Sequence, residues 1–126
     1  MPLSSFVEGA YDVGGAILDE VPSLRTVQRA FANASGIGNT EVIATQGSGV
    51  RIRVLGVMVI ATLAVTVKFQ SATTNISAGF PLAANSGFVM PYNPHGWFQT
   101  AANEALNINL SLGTATGIQV TWIPAT

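Results

Sequence analysis

The stretch Leu106-Asn107-Ile108-Asn109-Leu110-Ser111-Leu112 decides the fold class. Apolar and polar residues alternate strictly in it, and successive side chains of a β-strand point to opposite faces. Its leucine and isoleucine side chains therefore share one face. Residues 63–69 and 118–122 show the same period of two. The pattern predicts half-buried strands with one dry face and one polar face.

Working outward from this stretch, runs rich in Val, Ile, Thr and aromatic residues continue from residue 39 to the C-terminus. Clusters of Gly, Asn, Pro and Ser separate them at intervals of roughly 8–12 residues, which is typical of an all-β sandwich. Residues 54–60 do not alternate, which indicates a central strand covered on both faces or one buried against a neighbouring subunit. The predicted strands are residues 40–45, 50–60, 64–70, 87–90, 96–100, 105–112 and 117–123.

Residues 1–38 differ in composition and are predicted to form an N-terminal arm ahead of a β-sandwich domain at residues 39–126. Apolar residues recur there at three- and four-residue steps, with Pro22 before them and Gly36 after them, so a short amphipathic helix is predicted. The recurring residues are Leu24, Val27, Phe31 and Ala34. Residues 1 to about 20 are interpreted as extended chain.

Composition excludes several function classes. The 126 residues include six acidic and five basic ones and no cysteine, so no basic field exists for nucleic acid and no thiol chemistry is expected. The longest apolar stretch, residues 54–67, would reach only about 21 Å as a helix, which argues against a membrane span. The N-terminus lacks the pattern of a secretory signal, so synthesis without export is expected.

The predicted outer faces carry Asn, Thr, Ser, Gln and Ala in place of Lys and Glu. A free β-domain usually charges its exposed edges to prevent edge pairing. We therefore expect other copies or another protein to cover much of this surface. The alternative is a neutral domain that remains monomeric.

The residues needed for catalysis or metal binding are sparse. His95 is the single histidine, and the only aspartates, Asp12 and Asp19, lie in the arm, which disfavours a catalytic triad or a zinc site. Beyond the arm the only acidic residues are Glu41 and Glu104, with no sign that they form a hydrolytic pair. We expect no enzymatic activity, no cofactor and no metal.

Aromatic residues are concentrated between Phe88 and Phe98. In this segment Tyr92, Asn93, His95 and Trp97 lie among prolines and a glycine, which predicts a rigid loop whose Trp closes the end of the sandwich. The same four residues form a candidate ligand face, since aromatic rings serve as stacking platforms for sugars.

Several segments of residues 39–126 carry a family resemblance. The most specific are Pro-Leu-Ala-Ala-Asn at 81–85 and Pro-Tyr-Asn-Pro-His-Gly-Trp-Phe at 91–98. The others are Asn39-Thr40, Gly47-Ser48-Gly49, Ile52-Arg53-Val54-Leu55, Val67-Lys68-Phe69-Gln70-Ser71 and Glu104-Ala105-Leu106-Asn107. Together they resemble a domain of tailed-bacteriophage virion proteins that include head decoration, or cement, proteins and some fibre-like proteins. The arm matches no such pattern.

The resemblance implies a non-enzymatic β-sandwich built into a virion and used as a symmetric homo-oligomer. The hypothesis from sequence is a jelly-roll-like decoration protein, made in the host bacterial cytoplasm, that binds the capsid's outer surface as a homotrimer and cements adjacent major capsid protein subunits. Its candidate capsid or oligomer contacts are Phe6, Tyr11, Ile17, Leu24, Val27 and Phe31. The alternative is a receptor- or glycan-binding module of a phage fibre that uses the 92–98 loop.

Overall fold

The structure, a computed structural model, describes residues 26–126. Within that range the chain forms ten strands and no helix. The strands in chain order are β1 (Gln28–Ala34), β2 (Gly38–Ile43), β3 (Arg51–Ala61), β4 (Val65–Ser71), β5 (Thr74–Asn75), β6 (Phe80–Leu82), β7 (Ser86–Met90), β8 (Phe98–Gln99), β9 (Leu106–Leu110) and β10 (Thr116–Ala125).

The strands form two antiparallel sheets. The first sheet has the order β1-β10-β3-β7, and β8 also pairs with β3. The second sheet has the order β2-β9-β4-β5, and β6 also pairs with β4. Strands β1 to β4 alternate between the sheets, so each connection crosses from one sheet to the other instead of closing a hairpin.

The inward faces of both sheets contribute to a single hydrophobic core, which makes the fold β-sandwich-like. Within the strands, every second residue of the alternating segments is buried, as predicted. The fully or almost fully buried members include Val67, Phe69, Leu106, Ile108, Leu110 and Val120. The predicted pattern ends with the strands, because Leu63 and Leu112 lie just outside β4 and β9 and are exposed.

A bulge in β3 explains why residues 54–60 do not alternate in sequence. The register with β10 shifts between Thr121, which pairs with Gly56, and Trp122, which pairs with Val54, so Leu55 is an extra residue. Beyond the bulge, Val57 and Val59 are buried whereas Met58 and Ile60 are exposed. The prediction that this strand is covered on both faces is therefore wrong for residues 58 and 60 as far as residues 26–126 are concerned.

Seven predicted strands correspond to β2, β3, β4, β7, β8, β9 and β10, with ends displaced by a few residues. The helix prediction is wrong for residues 28–34, which form β1 and pair with β10; the earlier part of that helix lies outside the described residues. In β1 the half-buried or buried positions are the alanines Ala30, Ala32 and Ala34, whereas Phe31 points outward. Because the inward residues of β1 are small and an outward one is large, its sequence does not show the apolar alternation of a strand.

Residues 28–34 form β1 of the first sheet and Gly38 begins β2, so strand residues occur within the segment predicted to be the arm. Strands β5 and β6, of two and three residues, were also not predicted. Such short segments contain too few side chains to show a periodicity.

Replacing Ile108 tests the core. Ile108 is fully buried between β2 and β4, and Ile108→Ala should lower the free energy of unfolding by about 2–5 kcal/mol because it leaves a cavity. Urea denaturation measures the change. The matched control is Glu41→Ala on the neighbouring strand β2, whose exposed side chain predicts a change within about 0.5 kcal/mol. Equal effects of the two changes would contradict the proposed core.

Candidate functional site

The outer face of the first sheet carries a row of side chains contributed by four strands. Phe31 of β1 pairs with Gln119 of β10, Gln119 pairs with Met58 of β3, and Met58 pairs with Val89 of β7. Residues that are opposite one another in adjacent strands place their side chains on the same face of the sheet. The row therefore crosses the whole sheet on its outer side.

Apolar groups dominate this row and its neighbour. Phe31 is 77% exposed, Met58 45%, Val89 62% and Ile60, two residues along β3 from Met58, 55%. We call these four residues the apolar patch. Ile60 lies opposite Gly117 and Gly87, neither of which has a side chain to cover it. Contiguous exposed apolar surface of this kind marks interaction sites in proteins.

The outer face of the second sheet has a different chemistry. Its side chains are amides that bond to one another or to the backbone: Asn109 Nδ2 donates to Asn39 Oδ1 (2.6 Å), Gln70 Nε2 to Asn75 Oδ1 (2.7 Å) and Asn107 Nδ2 to the Ala72 carbonyl (2.8 Å). These amide nitrogens all have acceptors within the chain, whereas the buried Gln70 Oε1 has no hydrogen-bond partner among the described residues. The expectation of a polar surface with few charges holds for this sheet, where Lys68 and Glu41 are the charged residues among the amides, and the first sheet departs from it.

Shallow grooves cross the apolar patch. One groove, of about 280 Å³, lies between Phe31, Met58, Ile60 and Gln119. A second runs from Met58 and Val89 towards Tyr92 and is bordered by Arg29. The first groove is open and slightly smaller than the roughly 300–1,000 Å³ of small-molecule sites. Its size and its lining suit one or two apolar side chains of a docked segment.

The loop that contains Tyr92, Asn93, His95 and Trp97 is held by hydrogen bonds at both ends. The backbone N–H of Asn93 donates to the Leu55 carbonyl (2.8 Å), and that of Trp97 donates to the Val54 carbonyl (2.8 Å). Within the loop the His95 N–H donates to Asn93 Oδ1 (3.0 Å), and Trp97 Nε1 donates to the Pro91 carbonyl (2.8 Å). Both anchoring carbonyls lie at the β3 bulge, which thus positions the loop.

Trp97 does not close the end of the sandwich, because it remains 44% exposed. Phe98 packs inward instead, with its ring centroid 5.2 Å from that of the buried Phe69. Tyr92 is also exposed, and a polar hollow between His95, Trp97, Gln99 and Arg53 lies beside the loop. The loop is the second candidate site.

The remaining chemical groups are dispersed. Residues 26–126 contain no cluster of three or more histidine, cysteine or acidic residues that would hold a metal ion. Glu41 is an exposed residue of β2, whereas Glu104 accepts a hydrogen bond from the Ser71 hydroxyl, which itself accepts one from the Ala101 N–H. Within the same range no helix is long and apolar enough to cross a membrane.

Of the predicted contact residues, the structure places two. Phe31 is exposed in the middle of β1, the edge strand of the first sheet, and Val27 is exposed immediately before β1. Phe6, Tyr11, Ile17 and Leu24 lie outside the described residues. Sequence reasoning missed Met58, Ile60 and Val89. A signal for the first two was present, because residues 58 and 60 belong to an apolar run in which both strand faces must be apolar. Assigning them to the outer face required knowing the position of the bulge.

No protein-family model matches the chain, and no curated protein matches it.

Gly96 tests how the loop is held. Gly96 and Gly47 both have positive φ, at +87° and +108°, but only at Gly96 would a Cβ lie 2.6 Å from the Arg53 Cγ. Gly47→Ala should cost about 1–2 kcal/mol of stability from backbone strain alone. Gly96→Ala should cost at least about 1 kcal/mol more because it also displaces Arg53. Thermal unfolding of the two variants checks this, and a smaller loss at Gly96 would contradict it.

Proposed function

We propose that the protein is a non-enzymatic structural protein of a tailed-bacteriophage virion. In this proposal it binds the outer surface of the icosahedral capsid as a homotrimer and cements adjacent major capsid protein subunits. The observation that carries the proposal is the apolar patch, which lies on a sheet face that a free domain would keep polar. The resemblance of residues 39–126 to virion proteins supports the location.

The order of the strands supports the same proposal. Sheets ordered β1-β10-β3-β7 and β2-β9-β4-β5, with β1 to β4 alternating between them and β4 and β5 paired in the second, agree with the connectivity expected of an eight-stranded jelly roll. We propose that the sandwich is a jelly roll, an architecture common among viral capsid domains. On its own a fold does not specify a function, so the surface carries more weight.

Cementing requires no bond to be made or broken. A protein that contacts two or more subunits only in the expanded shell stabilises that shell by mass action, because it binds the assembled state and not the separated subunits. A trimer adds multivalency, since its second and third contacts are effectively intramolecular. The apolar patch provides the area that contacts between copies bury in the trimer, and a variant that loses the trimer also loses this multivalency.

The patch is tested with two matched triple variants. Phe31→Ser, Met58→Ser and Val89→Ser together should convert a trimer into a monomer, because each removes exposed apolar area at the interface. The control is Asn39→Ser, Lys68→Ser and Asn109→Ser on the outer face of the second sheet, which should remain trimeric. Light scattering gives the mass, and far-UV circular dichroism confirms that both variants fold. A monomeric parent chain would overturn the trimer.

Capsid binding is tested separately. The parent chain is mixed with expanded shells assembled from the major capsid protein encoded in the same genome, and bound protein is measured after sedimentation. We expect saturable occupancy by the parent and the control variant, and at least a tenfold loss of affinity for the patch variant. Shells that remain bare at saturating protein would overturn the decoration function.

A glycan-binding fibre module is the second candidate, and the exposure of Tyr92 and Trp97 beside a polar hollow favours it. It predicts saturable binding of purified host surface polysaccharide that Trp97→Ala reduces at least tenfold. The decoration proposal predicts no such binding and a loss of stability only, because Trp97→Ala removes the hydrogen bond to the Pro91 carbonyl. Isothermal titration calorimetry of the parent and the variant distinguishes the two.

A further inference from the structure

The charges of the chain divide unequally at the start of the described residues. Residues 1–25 contain four acidic residues and one basic residue, a net charge of −3, whereas residues 26–126 contain two acidic and four basic residues, a net charge of +2. The acidic ones in the first segment are Glu8, Asp12, Asp19 and Glu20. The two parts of the chain therefore have complementary charges.

One of the positive charges borders the apolar patch. Arg29 pairs with Thr121 across the first sheet, two residues before Phe31 on the same strand, and it lines the groove that contains Met58 and Val89. A partner for this face needs apolar side chains for the grooves and an acidic group beside Arg29. The first sheet of a second copy provides the first requirement but brings another Arg29 instead of an acid.

Residues 1–25 meet both requirements. Phe6, Tyr11 and Ile17 alternate in sequence with Glu8, Asp12 and Asp19, so apolar and acidic groups occur within two residues of one another. Apolar side chains in the grooves would gain burial, and a carboxylate near Arg29 would gain a charge contact that depends on salt.

The length of this segment and the place where it ends also fit. Twenty-five residues span up to about 80 Å when extended, several times the radius of a domain of this size. The segment leads into Thr26, beside the edge strand β1 that carries Phe31, and neither Thr26 nor Val27 lies in a turn or bend. Thr26 and Val27 thus bring the segment to the sheet at its edge, within reach of the patch of an adjacent copy.

We infer that the apolar patch is the docking surface for residues 1–25 of a neighbouring copy of this chain. The inference rests on the proposed function, because it requires copies held side by side in an oligomer. Each copy then gives its N-terminal segment to one neighbour and receives that of another. Such an exchange closes a ring in a trimer and joins the copies by more surface than contact between rigid sandwiches would provide.

The absence of cysteine from the sequence makes a direct test possible, since any introduced thiol is unique. In the full-length chain, Val89→Cys reports on the patch, and Lys68→Cys, half-buried on the second sheet, is the control. The rate of reaction with a water-soluble maleimide is measured for each. If the patch is covered, the thiol at position 89 reacts at least tenfold more slowly than the control, although the described sheets leave Val89 62% exposed.

The occupant is identified by a second full-length variant. Phe6→Asp, Tyr11→Asp and Ile17→Asp together should restore fast reaction at position 89 and leave the rate at position 68 unchanged. Circular dichroism and urea unfolding verify that the sandwich remains folded. A thiol at position 89 that reacts as fast as the control in the parent, or protection that persists in the triple variant, would overturn the inference.

A photo-cross-linking amino acid in place of Phe31 then locates the contact. In a reassembled mixture of 15N-labelled and unlabelled chains, we expect cross-links from position 31 to peptides within residues 1–25 that join labelled to unlabelled chains. Cross-links confined to a single copy, or made only to residues 26–126, would overturn the inference. Neither the thiol assay nor the cross-linking assay contains capsids. If shells stay bare in the capsid-binding test while position 89 is protected, the decoration function is overturned and the docking inference stands.

Discussion

The pairing of β3 with β10 is the contact on which the rest of the structure depends. It runs from Arg51 and Ala125 at one end to Ala61 and Thr116 at the other, and it is the longest ladder among the described strands. Strand β1 pairs with the free side of β10, and β7 and β8 pair with the free side of β3. Because side chains alternate along each strand, this one register determines which residues enter the core and which face outward.

The bulge within that ladder links the two candidate sites. By inserting Leu55 it lets Val54 and Val57 both face the core, so Met58 and Ile60 are left on the outer face with Phe31 and Val89. The carbonyls of Val54 and Leu55 at the same place hold both ends of the aromatic loop. A single local irregularity therefore shapes the apolar patch and fixes the loop.

The two outer faces differ in what they require from a partner. On the second sheet the amide nitrogens donate to one another's oxygens and to the backbone, so most of that face's polar groups are satisfied without a partner. On the first sheet the phenylalanine, methionine, isoleucine and valine of the apolar patch keep about half or more of their surface exposed to water within residues 26–126, which is unfavourable. This difference makes the first sheet the better candidate for an assembly surface.

Sequence by itself determined the all-β class, seven of the ten described strands and the buried faces of β4, β9 and β10, because strict alternation over several residues has only one reading in a sheet. It also identified the aromatic loop and Phe31. Only the tertiary structure decided that residues 28–34 are a strand, since their inward positions are alanines and their periodicity depends on pairing with β10. The tertiary structure also decided the apolar patch, because Phe31, Met58, Ile60 and Val89 come from distant parts of the chain. They share one face only through the register of four strands and the shift at Leu55.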